Sequence, residues 1–259
     1  LLNALQIKYS LRDFLAFSKF VFKTSPVSQY STNSFCDLKV KIVVISLPFR
    51  HDRRNQIIEQ FKNLNIDFEF FDAIHGKIER AKAYNKVEFS SRSKKYLSPG
   101  SIGCIASHMS VWTNLLLSPY DCFLIFEDDI ILEKNLSELA LLLPKYPADA
   151  DIIYLGSGSK KGWLNMKNIS TNISKPFTVR KGAYSYILFK NGAIKLTTEI
   201  KKVNIVCGGI DSILGILGMR GKLIAYHIIP PICKIDYSLP SNILNFSNKT
   251  KIIHEIEFK

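Results

Sequence analysis

The stretch FLIFEDDIIL, residues 123–132, decides how the rest of the sequence is interpreted. Four apolar residues lead into Glu127, Asp128 and Asp129, and three more apolar residues follow them. An apolar run of this length is typical of a buried strand. Adjacent carboxylates about 4 Å apart repel by roughly 1 kcal/mol in water and by more near a protein interior. Because a bound cation would offset that repulsion, the stretch predicts a strand end that carries a cation site.

The composition is that of a globular protein. The chain has 259 residues, of which 47% are hydrophobic and 12% aromatic, enough for a large packed core. Its net charge of +13 favours anionic partners. The basic residues are spread along the chain without a nucleic-acid-binding signature, so we do not expect it to bind nucleic acid. Five cysteines without a CxxC pair predict neither a disulfide framework nor a zinc cluster.

Residues 1–38 differ in pattern from the rest and are expected to be an N-terminal helical extension. Apolar residues recur at helical spacing over residues 1–23, beside a basic stripe. Such a helix is expected to lie on an anionic membrane surface, or else to dock on its own domain or on a partner. Residues 24–34 predict a linker. Charged residues interrupt the apolar clusters, so we expect no secretory signal, no membrane-spanning helix and a cytoplasmic protein.

Residues 39–259 predict one α/β domain with a mostly parallel central sheet. Buried strands are expected within residues 40–47, 67–74, 123–132, 151–158, 183–189 and 222–229. A helix over residues 98–117 is expected to begin with Ser98 as its cap and Pro99 in its first turn. The alternation of strands and helices favours a parallel sheet, in which ligands bind outside the carboxyl ends of the strands.

The acidic triplet and a basic cluster are both expected at that edge. If the strand continues through the triplet, Glu127 and Asp129 point to one face and Asp128 to the other. Such a pair can hold Mg²⁺ or Mn²⁺, and the alternative is a solvated acidic turn. The three arginines of residues 50–54 follow the first strand. With a cation they would form a diphosphate site, and the alternative is a solvated first helical turn.

Four motifs in this order resemble glycosyltransferase family 25. They are ISLPFRHDRR (45–54), NIDFEFFDAIHGK (65–77), LSPGSIGCIASHMSVW (97–112) and FLIFEDDIIL (123–132). That family contains the lipooligosaccharide galactosyltransferases of Gram-negative bacteria and is related to the collagen galactosyltransferases. The similarity covers roughly residues 40–235.

The resemblance implies a GT-A (Rossmann-like) fold and an enzyme that inverts the anomeric carbon. The implied donor is a nucleotide sugar, usually UDP-galactose, and the implied cofactor is Mn²⁺ or Mg²⁺. The acceptor would be a lipooligosaccharide or another glycolipid. We therefore expect peripheral contact with the cytoplasmic face of the inner membrane of a Gram-negative bacterium.

The resemblance also implies roles for single residues. Asp129 is expected to bind the metal directly, with Glu127 or Asp128 contacting ribose or metal-bound water. Residues expected at the nucleotide, or behind it, are Ser46, Arg50, Arg53, Arg54, Asp72, Gly103, Ser107 and His108. For His108, the alternative is a core histidine beside Trp112.

An inverting transfer needs a base that takes the acceptor's proton. The stretch CGGIDSILG, residues 207–215, supplies Asp211 after Gly208 and Gly209, which allow close backbone approach. The alternative is that Asp211 caps a helix. The sequence GGID departs from a family pattern that often has Pro here, which leaves the loop shape open. His227 is a further metal candidate, although a histidine in a strand is usually structural.

Two rival functions remain open at this stage. A nucleotidyltransferase also uses a carboxylate-bound cation, but it usually has a Gly-rich phosphate loop after the first strand, which residues 45–54 lack. The other rival is a catalytically silent, membrane-associated binding protein of the same fold. Metal-dependent binding of UDP would separate the transferase from the silent protein.

Overall fold

The computed structural model describes residues 32–34, 37–64, 66–133, 145–156, 166–176, 182–200, 202–205 and 208–238. Its helices are α1 (His51–Asn63), α2 (Arg80–Lys86), α3 (Ser91–Tyr96), α4 (Pro99–Leu116), α5 (Lys190–Glu199) and α6 (Gly209–Met219). The first seven strands are β1 (Thr32–Ser34), β2 (Val40–Ser46), β3 (Glu69–Asp72), β4 (Glu88–Phe89), β5 (Cys122–Glu127), β6 (Ile130–Leu132) and β7 (Lys145–Pro147). The others are β8 (Ile152–Tyr154), β9 (Met166–Asn168), β10 (Ile173–Pro176), β11 (Ser185–Phe189), β12 (Lys202–Val203), β13 (Ala225–Ile228) and β14 (Cys233–Ile235).

The central sheet has eight strands in the order β3-β2-β5-β11-β8-β13-β10-β9, which confirms the α/β class. Strand β2 runs parallel to both β3 and β5, and β13 runs parallel to β8. Strands β11 and β10 run antiparallel to both of their neighbours, so the sheet is mixed. A strand buried on both faces has the same apolar pattern in either direction, and the sequence therefore did not reveal these reversals.

Helices cover both faces of the sheet, and the strand period of two decides which residues face which layer. On one face, Val43, Ile45 and Ile125 pack with the apolar side chains of α4, α5 and α6. On the other face, Val44 and Phe126 pack against α1. The register pairs Ile45 with Glu127, which places Glu127 on the α4 side of the sheet.

Helix α4 begins where the sequence predicts. The Ser98 hydroxyl accepts a hydrogen bond from the Ser101 N–H at 3.0 Å, and Pro99 occupies the first turn. The helix has 18 residues and is buried along most of its length. No described helix is both long and apolar enough to cross a bilayer.

Two predictions about the strands need correction. The strand of residues 123–132 does not continue through the triplet, because β5 ends at Glu127 and a turn at residues 128–129 separates it from β6. Strand β6 then pairs with β14 in a separate two-stranded sheet. The end of the expected linker, Thr32–Ser34, is strand β1 and pairs with β7. The helix expected over residues 1–23 lies outside the described residues.

Candidate active site

The carboxyl ends of β2 and β5 open into a cavity of about 440 Å³. Its other walls are the loop of residues 73–77 and the first turns of α4. The acidic triplet lines this cavity together with Arg53 from α1. The sequence placed the triplet and this arginine at the same sheet edge, and the structure brings them together there.

Asp128 is held on the α1 side of the sheet by two donors. The Ser46 hydroxyl donates to Asp128 Oδ2 at 2.7 Å, and Arg53 Nη1 donates to Asp128 Oδ1 at 2.6 Å. Asp128 and Arg53 are both buried, so each charge depends on the other for compensation. Because both of its oxygens are engaged, Asp128 acts as a support for the strand end.

Within the triplet, the Asp129 carboxylate receives the fewest hydrogen bonds from the described residues. Its Oδ1 is buried without a hydrogen-bond donor among the described residues, and its Oδ2 lies 3.4 Å from Arg53 Nη1. Burial, together with the charges of Glu127 and Asp128, raises the pKa of Asp129 to about 7, although Arg53 opposes this shift. A buried carboxylate oxygen without a donor, beside two other carboxylates, fits a hard divalent cation.

Glu127 points to the opposite face and meets α4. Its Oε1 lies 3.2 Å from His108 Nε2 and 4.0 Å from Cys104 Sγ. The ligand atoms of these three residues lie within 4.8 Å of one another, so they form a second group that could contact a metal. His108 is fully buried. His108 is therefore a core residue that also borders the cavity, and its predicted contact with a nucleotide stays a prediction.

The loop of residues 73–77 is held against α4 by one hydrogen bond and by a close crossing of the two backbones. The Ile74 N–H donates to Ser107 Oγ at 2.8 Å, and that hydroxyl donates to the Gly103 carbonyl at 2.7 Å. A Cβ on Gly103 would overlap the Ile74 carbonyl oxygen, and one on Gly76 would overlap the Pro99 carbonyl oxygen. Gly103 and Ser107 thus position the cavity wall, and Ser107 also lines the cavity.

Three residues predicted at the nucleotide lie outside the residues that line the cavity. Arg50 forms an ion pair with Asp52 at the start of α1. Arg54 forms an ion pair with Asp72, donates to the Ser46 carbonyl at 3.0 Å and packs over the ring of Phe70. Arg54 and Asp72 therefore join the ends of β2 and β3 beside the cavity.

His227 lies far from the triplet along the sheet. It is buried on β13, where its ring stacks on Tyr154 with centroids 4.7 Å apart. The register aligns Ile125, Tyr186, Tyr154 and His227 across four strands. Ile125 and His227 are therefore separated by three strand spacings, or about 14 Å. This position does not support the prediction that His227 binds the metal.

Asp211 is the third residue of α6 and connects that helix to the sheet. Gly208 and Gly209 precede it with φ of 77° and 59°, a left-handed conformation that favours glycine. Asp211 Oδ1 accepts hydrogen bonds from the backbone N–H groups of Gly182, at 3.1 Å, and Ala183, at 3.0 Å. The carboxylate thus fixes the loop before β11, a task that the sequence did not reveal.

Sequence reasoning did not identify Cys104 and Tyr186. Tyr186 lies on β11 and its hydroxyl is 2.8 Å from His108 Nδ1. Cys104 precedes His108 by one helical turn, so the spacing of four residues in GCIASH is a signal that could have indicated it. Tyr186 has no comparable signal, because its contacts come from a strand 78 residues away from His108.

The α/β fold with its large mixed central sheet is that of a GT-A-like glycosyltransferase. Residues 39–213 match the model of glycosyltransferase family 25, described as LPS biosynthesis protein. The chain belongs to this family.

Three relatives illustrate the range of the family. The chain is 34% identical to a putative glycosyltransferase of Haemophilus influenzae, over 77% of this chain and 72% of that protein. It is 28% identical to the lipooligosaccharide biosynthesis protein lic2B of Haemophilus influenzae, over 61% of this chain and 62% of that protein. Identity to procollagen galactosyltransferase 2 of Mus musculus is 30%, over 45% of this chain but only 20% of the mouse protein.

Proposed function

We propose that this chain is an inverting, metal-dependent hexosyltransferase that moves galactose from UDP-galactose onto a lipooligosaccharide or another surface glycan. The observation that carries the proposal is Asp129, whose buried Oδ1 has no donor among the described residues in a cavity shared with Glu127 and Asp128. If this sheet edge had only a structural role, replacing the buried carboxylate with an uncharged side chain would make the fold more stable.

In this proposal Asp129 and Glu127 hold Mn²⁺ or Mg²⁺. The bound cation supplies positive charge for the diphosphate as it leaves. Asp128 and Arg53 keep the end of β5 in place, and Ser46 ties β2 to the same point. The docked loop of residues 73–77 closes the side of the cavity where the nucleotide would lie.

Asp211 is the proposed general base. The acceptor oxygen forms a bond to the anomeric carbon, the bond to the diphosphate oxygen breaks with its electron pair leaving on UDP, and the acceptor proton passes to the Asp211 carboxylate. Its two backbone donors hold that carboxylate in a fixed place. Burial raises the pKa of Cys104 well above its ordinary value, and the charges of Glu127 and Asp211 add to this. Asp211 therefore lies near enough to influence a residue that lines the cavity.

The sugar and the acceptor are proposed from relatives and from charge. One relative is named a procollagen galactosyltransferase and another a lipooligosaccharide biosynthesis protein. The net charge of +13 suits an acceptor that carries phosphate and acidic sugars at an anionic membrane surface. We propose that the enzyme works at the cytoplasmic face of the inner membrane.

A screen of nucleotide sugars tests this function. The full chain would be incubated with Mn²⁺ and each donor, UDP release would be measured, and lipooligosaccharide acceptors would then be added. We expect UDP-galactose to give the fastest release and acceptor-dependent transfer. A nucleotidyltransferase would instead release pyrophosphate from nucleoside triphosphates, and a silent binding protein would turn over none of these compounds.

A further inference from the structure

Behind Glu127, three buried side chains form a continuous chain of hydrogen bonds. Trp112 Nε1 lies 2.8 Å from the Tyr186 hydroxyl, that hydroxyl lies 2.8 Å from His108 Nδ1, and His108 Nε2 lies 3.2 Å from Glu127 Oε1. Trp112, Tyr186 and His108 are all fully buried. This hydrogen-bond chain starts in the apolar core and ends on a carboxylate that lines the cavity.

The chemistry of these groups decides which atom donates and which accepts in each hydrogen bond. An indole N–H can only donate, so the Tyr186 oxygen accepts from Trp112. Burial raises the pKa of Tyr186 well above its ordinary value, so the phenol keeps its proton. That proton has His108 Nδ1 as its acceptor, which leaves the hydrogen of a neutral imidazole on Nε2. The Nε2–H then donates to Glu127 Oε1.

The opposite tautomer is unfavourable at both ends of the imidazole. With the hydrogen on Nδ1, the buried Tyr186 hydroxyl would lose its acceptor, and an unmade buried hydrogen bond is unfavourable. In addition, the lone pair of His108 Nε2 would face a carboxylate oxygen 3.2 Å away.

We propose that Trp112 and Tyr186 are positioning residues, which fix His108 as its Nε2–H tautomer so that Glu127 is held by Oε1 and presents Oε2 to the ligand in the cavity. His108 and Trp112 lie one turn apart on α4 and so share a face. Tyr186 pairs with Ile125, two residues before Glu127, so its side chain lies on the same side of the sheet as Glu127. The link to metal binding rests on the proposed function, whereas the tautomer does not.

The tautomer can be read directly from the full chain by ¹⁵N NMR of the histidine side chains. The spectrum would be recorded without metal at about pH 8, above the ordinary histidine pKa of about 6.5. A His108→Gln variant identifies the His108 signals. We expect a protonated Nε2 and an unprotonated Nδ1. A protonated Nδ1 in the wild-type chain would overturn the inference, and this readout needs no variant of Tyr186 or Trp112.

Tyr186→Phe removes one hydroxyl and keeps the ring. We expect the Nδ1 signal of His108 to move, and we expect Mn²⁺ affinity in the presence of UDP to fall about tenfold or more, as when other residues that orient metal ligands are replaced. Tyr226→Phe is the matched control, because it removes a hydroxyl that donates to Asp149 at 2.8 Å from a fully buried ring on the opposite face. That control should leave affinity within about twofold.

The NMR spectrum of His108 and the Mn²⁺ affinity test different claims. A wild-type chain that binds no Mn²⁺ contradicts the proposed function, and its His108 spectrum still decides the direction of the hydrogen-bond chain. Should Tyr186→Phe leave both the Nδ1 signal and the Mn²⁺ affinity unchanged, Tyr186 would not position His108. If Tyr186→Phe does not fold, Trp112→Phe removes the donor to the Tyr186 oxygen instead. A fall in Mn²⁺ affinity in that variant would support the positioning role of the hydrogen-bond chain, and unchanged affinity would contradict it.

Discussion

Arg53 Nη1 lies 2.6 Å from Asp128 Oδ1, and both side chains are almost completely removed from solvent. This ion pair joins α1 to the end of β5, where the chain turns into the acidic triplet. The same guanidinium lies 3.4 Å from Asp129 Oδ2. The proposed metal site is therefore built against a buried cation that belongs to the protein itself.

Arg53→Gln should lower the free energy of unfolding by about 3–5 kcal/mol, because it leaves the Asp128 charge buried without its partner. Arg50→Gln is the control, because it removes the ion pair between Arg50 and Asp52. The Asp52 side chain is 58% exposed, and exposed ion pairs contribute about 1 kcal/mol or less to stability. Urea denaturation of both variants measures the difference. Equal losses in the two variants would show that the Arg53–Asp128 pair is not a buried support.

Gly103→Ala and Gly76→Ala should each lower the free energy of unfolding by about 1–3 kcal/mol or more, because the added methyl group would overlap backbone atoms across the contact between the loop and α4. Gly218→Ala in α6 is the control. Its Cβ would meet nothing closer than the Leu223 carbonyl at 4.0 Å, and alanine there should leave stability unchanged or raise it by up to about 1 kcal/mol. A Gly103→Ala chain as stable as the control would refute the close crossing.

The stability of the metal-free chain should depend on pH through Asp129. Its pKa rises from the ordinary 3.8 to about 7, chiefly through burial. The folded state therefore favours the protonated acid, so this group's contribution to stability is complete below the ordinary pKa and is lost as pH rises through about 7. With a chelator present, the melting temperature of the wild type relative to Asp129→Asn should fall between pH 5 and pH 8. A constant difference would mean that Asp129 has an ordinary pKa.

Metal binding should show the opposite dependence on pH, because the ligand must lose its proton. Below about pH 7, apparent Mn²⁺ affinity should weaken by up to tenfold per pH unit. Calorimetry in two buffers of different ionisation enthalpy would also detect the released proton. Affinity that stays flat from pH 5.5 to pH 8 would argue that Asp129 does not bind the metal.

Asp211 can be tested with two substitutions that separate charge from architecture. Asp211→Asn keeps an oxygen that can accept the N–H groups of Gly182 and Ala183 but removes the base, so we expect normal folding and donor binding without transfer. Asp211→Ala removes the acceptor as well and should also lower stability, by about 1–3 kcal/mol. Near-normal turnover by Asp211→Asn would leave Asp211 a structural residue only.

Local patterns were sufficient for much of the fold. The apolar runs predict β2 and β5, and Ser98 with Pro99 predicts the start of α4, because caps and periodicity are set by neighbours in the sequence. Strand direction is set by long-range pairing, so the reversal of β11 between β5 and β8 could not be predicted. The edge strand β9 and its neighbour β10 were not predicted, because residues 166–176 are mostly polar and each strand is short.

The candidate site was predicted in composition more than in geometry. The triplet and Arg53 meet as expected, since carboxyl ends of adjacent parallel strands share an edge. Three contacts depend on tertiary structure and were not predicted. Arg54 pairs with Asp72, and Asp211 holds residues 182 and 183. Tyr186 lies behind His108. No spacing in the sequence encodes those contacts.

The most direct test of the proposed metal site is calorimetric titration of the full chain with Mn²⁺ and UDP, compared with the Asp129→Ala variant. We expect the wild type to bind UDP only with the metal. The variant should lose about 100-fold or more in affinity, since even residues that merely support a metal ligand contribute 10–100-fold. Its melting temperature, measured in parallel, would show that it still folds. Binding of Mn²⁺ and UDP by a folded Asp129→Ala chain with wild-type affinity would show that Asp129 does not hold the metal.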